Sequence, residues 1–129
     1  MSKQTKNFIE FNGENIYFVN VLEIDWIAIK PICKALNLDY NIELENLKEH
    51  KFLNEKFSQQ MIINSTNSNK IFLCLPEHLI PCWLFSINPE LINLKRYDII
   101  EIIFKSFHGP YTRENINNFM DKYNLKNTL

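Results

Sequence analysis

Two runs of alternating, β-prone residues open the chain, Phe8-Ile9-Glu10-Phe11 and Ile16-Tyr17-Phe18-Val19, with Asn12-Gly13 between them. Asn-Gly accepts positive φ at both centres of a tight turn, so the pattern predicts a β-hairpin, with Glu14-Asn15 free to lengthen the loop. A third strand is predicted over Trp26-Ile27-Ala28-Ile29, after a turn near Glu23 to Asp25 whose register no glycine fixes. Helical spacing takes over at once. Pro31 suits a first helical turn, where its missing N–H costs nothing. Ile32, Cys33, Ala35 and Leu36 form an apolar stripe, and Asn37 is a stop because Asn tolerates the left-handed region. A second helix is predicted from Asp39 or Asn41 to about His50, with Asn41 as a good cap and Leu44 and Leu47 on one face.

The polar stretch 51–60 carries no clear period. Met61-Ile62-Ile63 and Ile71 to Leu75 read as a second hairpin around Asn64 to Asn69, which is turn chemistry throughout. Pro76 ends that strand and permits a short helix or turn through Pro81. Trp83-Leu84-Phe85-Ser86-Ile87 is predicted core. The longest helix is expected from Pro89 to about Phe107, with Leu94, Tyr97, Ile100, Phe104 and Phe107 at three- and four-residue steps and Ile103 widening the stripe. Gly109-Pro110 stops it. Thr112 is placed to cap a last helix, with Glu114 near its start and Ile116, Phe119, Met120 and Tyr123 on one side. The predicted class is α+β: an N-terminal β-hairpin or meander, two short helices, a second β-hairpin and a long C-terminal helix. Residues 1–6 are polar and expected to fray. No internal repeat or linker interrupts the chain, which argues for one domain.

Composition narrows the function. The formal charge is −1 across 129 residues. A chain that neutralises many phosphates carries excess Lys and Arg, so strong non-specific nucleic-acid binding is not expected. Arg occurs only as Arg96 and Arg113, which lowers the prospect of direct base readout. Cys33, Cys74 and Cys82 have no zinc spacing and sit in apolar contexts, so buried free thiols in a reducing compartment are expected. The polar N-terminus does not read as a signal peptide, and no apolar run approaches a membrane span. The expected location is the cytoplasm, with no membrane partner.

Enzyme chemistry finds little support in the pattern. Two glycines cannot build a phosphate-cradling loop, and no serine sits in a glycine-flanked elbow. His50, His78 and His108 are far apart and lack helical ligand spacing. His78 beside Pro76 and Glu77 reads as a surface or hydrogen-bonded histidine. Asp98 and Glu101, one turn apart beside Lys95 and Lys105, read as a solvated helix face rather than an acid–base pair. Trp83 and Phe85 can stack bases only if they share a strand face; on a helix they diverge, and core packing is the better account. No catalytic residue, metal or cofactor is predicted.

The paired short helices invite a helix-turn-helix reading, against which stands the acidic outer face of the second. There, Lys48, Lys51 and Lys56 could touch phosphate, but Glu43, Glu45, Glu49 and Glu55 are interleaved with them, the usual mixture of a solvated helix surface. Glu43, Glu45, Lys48, Glu49 and Lys51 are the candidate partner-binding residues.

Phe8 to Gly13 followed by Ile16, and then Trp26 through Leu36 with Lys30-Pro31-Ile32, resemble the opening of the phage antirepressor N-terminal domain family, related to the Bro-N type viral domains. Asn37-Leu38-Asp39-Tyr40 follows the family's leucine-glycine-leucine-aspartate helix ending. The string Leu73-Cys74-Leu75-Pro76, Leu79, Pro81 and Trp83 to Pro89 resembles its most specific segment, and the helix bearing Tyr97 its closing element. The resemblance covers about 8–108, leaving 109–129 as a helical extension of the same domain. The family usually has Gly at position 37, Trp at 40, Gln at 43 and a basic residue at 45. Asn37 and Tyr40 are mild departures; Glu43 and Glu45 place carboxylates where DNA or a partner would approach.

The resemblance implies a phage or prophage regulator that binds a repressor or another DNA-associated protein. An acidic or apolar patch suits such a basic partner. A DNA-binding transcriptional regulator on double-stranded DNA and a phage-encoded inhibitor of a host defence system are the alternatives. The last helix, Thr112 to Tyr123, is a candidate homodimer contact.

Overall fold

The computed structural model describes residues 7–63, 68–92 and 95–123. Its contacts gather into two compact units, 1–79 and 80–129. The architecture is α+β, as the pattern predicts.

In the first unit, β1 (Phe8–Phe11) and β2 (Glu14–Val21) pair antiparallel, with Phe11 opposite Glu14. The loop is therefore Asn12-Gly13 alone, both at positive φ, and Glu14 and Asn15 belong to β2. β2 turns into β3 (Ile24–Ala28) through Leu22-Glu23, with Val21 opposite Ile24. This turn also needs positive φ twice, 52° and 66°, but has no glycine or asparagine to supply it. The third strand thus starts two residues before Trp26, and Ile29 leaves it to begin a helix.

That helix, α1 (Ile29–Ala35), grows directly out of β3 with no side-chain cap. Ile29, Pro31, Ile32, Cys33 and Ala35 are buried, which leaves Lys30 and Lys34 outward, one turn apart. Asn37, at φ 60°, closes the helix. Its N–H donates to the Lys34 carbonyl at 3.2 Å and that of Leu38 to Cys33 at 2.7 Å, the paired bonds of a Schellman end. α2 (Tyr40–Glu49) follows. Its cap is Asp39, whose carboxylate accepts from the Ile42 N–H at 3.1 Å, and Asn41 lies inside the helix. Asp39 wins because it occupies the extended position just before the first helical residue. His50 ends α2, its Nδ1 accepting from the N–H groups of Phe52 and Leu53 at 3.0 Å each. These bonds fold the polar stretch after it into turns and bury Leu53.

β4 (Ser58–Ile63) begins three residues earlier than its apolar part suggests, and pairs antiparallel with β5 (Asn69–Pro76). Of the expected turn, 64–67 lies outside the described residues, as does the 1–6 segment. β5 inserts beside β3, giving the order β1-β2-β3-β5-β4, antiparallel throughout. Pro76 is tolerated in this interior strand because it lies opposite Trp26 beyond the reach of β4, whose pairing starts at Cys74. One sheet face packs Ala28, Ile62, Phe72 and Cys74 with Tyr17, Val19 and Trp26. On the other, Ile9, Phe11, Ile16, Ile27 and Leu75 are buried, while Met61, Ile63 and Ile71 stay exposed. The Asn7 side-chain amide donates to the Ile63 carbonyl, so the start of β1 meets the end of β4 and the sheet is strongly curled. A one-turn 3-10 helix, Glu77–Leu79, closes the unit.

The second unit is helical: α3 (Ile80–Ser86), α4 (Pro89–Ile92), α5 (Lys95–His108) and α6 (Arg113–Tyr123). The helix expected as one piece from Pro89 is thus two described pieces; Leu94 lies outside the described residues. Asn88 caps α4, accepting from the Glu90 N–H at 3.0 Å with Pro89 in first position. Trp83 and Leu84 are buried as expected, but Phe85 is 47% exposed. On a helix Phe85 points away from Trp83, and its ring packs against Tyr97 and under the Arg96 guanidinium. Ile100, Ile103 and Phe104 of the expected stripe of α5 are buried, Arg96 and Ile99 join them on the inner side, and Tyr97 is exposed. Arg96 donates to the Ile87 carbonyl at 3.3 Å. Thr112 caps α6 through Asn115 N–H, and Phe119 packs its ring on Phe104 and His108.

The Leu22-Glu23 turn gives a test. Side-chain-bearing residues in the left-handed region cost about 1–2 kcal/mol each. L22N/E23G should raise stability by about 1 kcal/mol, read as a higher urea midpoint at unchanged slope. An unchanged or lower midpoint would mean the turn is not strained.

Candidate functional site

α2 and the turn after it present the residues expected to meet a partner, with Lys51 in that turn, and not all of them point outward. Glu45, Lys48, Glu49 and Lys51 are exposed. Glu43 is not: it is 2% exposed, on the inner side with Leu47. A four-residue step back from Leu47 gives Glu43, so the apolar face carries a carboxylate. Leu44 is only half-buried. Burial raises the Glu43 carboxyl above its ordinary 4.5, Asn46 lowers it by a hydrogen bond, and the Asp39 charge raises it.

The outer stripe is Ile42, Glu45 and Glu49, at steps of three and four. Ile42 is 55% exposed, a large apolar side chain between the N-terminal turn and two carboxylates. Lys48 leans on Glu45 at 3.5 Å, and Lys56 sits over the exposed Phe52 ring at 5.3 Å. Of the lysines in this region that could touch phosphate, one is therefore ion-paired and another lies on a ring.

Beside α2 is a feature that the sequence reading missed. Lys30 and Lys34 of α1, Lys70 of β5, and the rings of Tyr17 and Phe72 line a shallow groove of about 340 Å³. The two rings stack with centroids 5.6 Å apart and planes 25° apart. Lys70 lies 5.6 Å over Phe72, and Lys30 lies 5.6 Å over Tyr40, the first residue of α2. Lys34 reaches Glu14 at 3.7 Å. The i,i+4 spacing of Lys30 and Lys34 was legible in the chain; their meeting with Lys70 depends on β5 folding back.

Elsewhere, Glu101 pairs with Lys105 at 2.9 Å on α5, as a solvated face would. Cys33, Cys74 and Cys82 are free, the first two buried and the third half-buried. Burial pushes the Cys33 and Cys74 thiols up to about 12 and raises that of Cys82. Among the described residues, no cluster of His, Cys, Asp or Glu could hold a metal ion, and no helix is long and apolar enough to cross a membrane.

The P22_AR N-terminal domain family matches residues 7–105. The chain belongs to that family. It is a phage antirepressor-type domain, and the match runs from β1 through most of α5, including the Leu73 to Pro89 string. No curated protein and no solved structure matches the chain significantly.

Glu43 yields a pH test. An acid whose folded value lies above its unfolded one holds its proton longer when folded, so stability falls as pH rises from the unfolded to the folded value. E43Q keeps an acceptor for Asn46 and removes the buried charge. It should flatten that fall and equal or exceed the parent at neutral pH in urea melts. A steeper fall or a large loss at neutral pH would refute the assignment.

Proposed function

We propose that this antirepressor-type domain acts by contact rather than catalysis, binding a repressor or another DNA-associated protein through the outer stripe of α2. The observation that carries this reading is the combination of exposed Ile42 with Glu45 and Glu49. A repressor is basic where it meets DNA, and an acidic stripe with an apolar side chain at one end complements such a surface in both charge and burial. The family match supports the regulatory setting. Direct DNA binding by this region has less support, because Glu45, Glu49 and Glu55 stand among its lysines and would repel phosphate.

A reporter silenced by a temperate-phage repressor tests the reading. Co-expression of this protein should restore expression, and E45K/E49K should reduce that effect by about tenfold or more. Purified protein should release the repressor from labelled operator without itself shifting free duplex. Silence across a panel of repressors, or a direct shift of duplex at micromolar protein, counts against it. Plaque assays on defended and undefended hosts separate the reading from inhibition of a defence system.

A further inference from the structure

The second unit holds a cation without a counter-ion. Arg96, the second residue of α5, is only 6% exposed. A guanidinium stays charged at any working pH and carries five N–H donors. One Nη donates to the Ile87 carbonyl at 3.3 Å, and the buried Nε has no acceptor. None of the ion pairs among the described residues involves it. Asp98, two residues along, points to the opposite side of the helix, and Glu90 on α4 is exposed to solvent. The start of α5 adds to the deficit, because the positive end of a helix disfavours a cation and favours an anion. Burying a charge against one neutral acceptor is costly, and an anion that fills the open donors offsets the cost.

The surface around this cation is aromatic. The Phe85 ring lies 5.3 Å from the guanidinium carbon, and Tyr97 meets Phe85 edge-on with centroids 5.7 Å apart. Both rings are about half exposed. Neither is core: Trp83 and Leu84 anchor α3, and Ile99, Ile100 and Ile103 anchor α5. An arginine beside exposed aromatic rings is the composition of an interface anchor. We propose that Phe85, Arg96 and Tyr97 dock a segment of a protein partner that carries a carboxylate beside an apolar side chain. The carboxylate takes the guanidinium N–H groups that Ile87 leaves open, with the two-point geometry that two planar groups allow. Its apolar neighbour lies on the Tyr97 and Phe85 rings. Phe85, at the surface, turns aside to admit the carboxylate, while Trp83 and Leu84 keep α3 in place. A nucleic-acid strand fits poorly, because one buried cation gives no track for successive phosphates. The site lies on the second unit and does not rest on the α2 reading.

Arg96 and Arg113 are the only arginines, so NMR spectra of the isotope-labelled full chain contain two Nε–H resonances, and exposed Arg113 is an internal control. The probe is the dipeptide acetyl-aspartyl-phenylalanine amide. It should move the Arg96 Nε–H resonance saturably in the low-millimolar range, about 1–10 mM, and leave that of Arg113 in place. The asparaginyl analogue should bind about tenfold more weakly, since it lacks the charge. Y97A alters an exposed wall and should keep the circular dichroism while weakening the dipeptide about fivefold. No saturable shift by about 50 mM would overturn the proposal. So would equal shifts from the asparaginyl analogue, equal movement of Arg113, or unchanged affinity in Y97A. Acetate binding as tightly as the dipeptide would refute the apolar contact, and inorganic phosphate binding more tightly would assign the site to phosphoryl groups instead. The α2 residues take no part in these titrations, so their outcome is separate from that of the repressor reading.

Discussion

The ladder between β3 and β5 is the long-range contact on which the first unit depends. It joins Trp26-Ile27-Ala28 to Cys74-Leu75-Pro76 across nearly fifty residues of intervening chain. Without it, β1–β3 and the β4–β5 hairpin would be separate small sheets, and the two-stranded one would be marginal at best alone in water. With it, α1 is fixed in direction, because β3 runs into the helix with no linker. Cys74 and Leu75 then place Phe72 and Lys70 at a set distance along β5, on the same side as Tyr17. The basic groove is a by-product of that register: a shift of one residue would turn Phe72 and Lys70 to the other face.

Tight local chemistry surrounds this non-local joint. Asn12-Gly13, the Asn37 helix end, the Asp39 cap and the Thr112 cap each satisfy backbone groups that the elements leave open. The exception is Leu22-Glu23, where the backbone must turn as tightly as at Asn12-Gly13 but the side chains do not favour it. The strand alternation on either side, Phe18 against Ile27 and Val19 against Trp26, outweighs the turn's own preference.

Most elements were legible from the sequence, because their signals are local. The first hairpin follows from Asn-Gly, the end of α1 from Asn37, the start of α6 from Thr112. What escaped the sequence depends on neighbours far along the chain. Ser58 to Gln60 are polar, and only pairing with Phe72, Leu73 and Cys74 makes them strand. Tyr97 and Phe85 fit an apolar period, yet the stripe that is buried contains Arg96, held by a carbonyl and a ring. Of the candidate site, the charged outer residues of α2 were readable. Glu43 was not, since its carboxylate hides an inward position behind a polar letter. Lys70 joins Lys30 and Lys34 only through the strand order.

Cys33 and Cys74 have a practical consequence. Both lie under packed apolar side chains, and burial keeps their thiols protonated far above neutral pH. Alkylating reagents attack the thiolate, so these sulfurs should be silent while α1 and β5 stay in place and become modifiable when either opens. The wild-type chain therefore carries two native chemical reporters of local opening, one on the helix that leaves β3 and one on the strand that pairs with it.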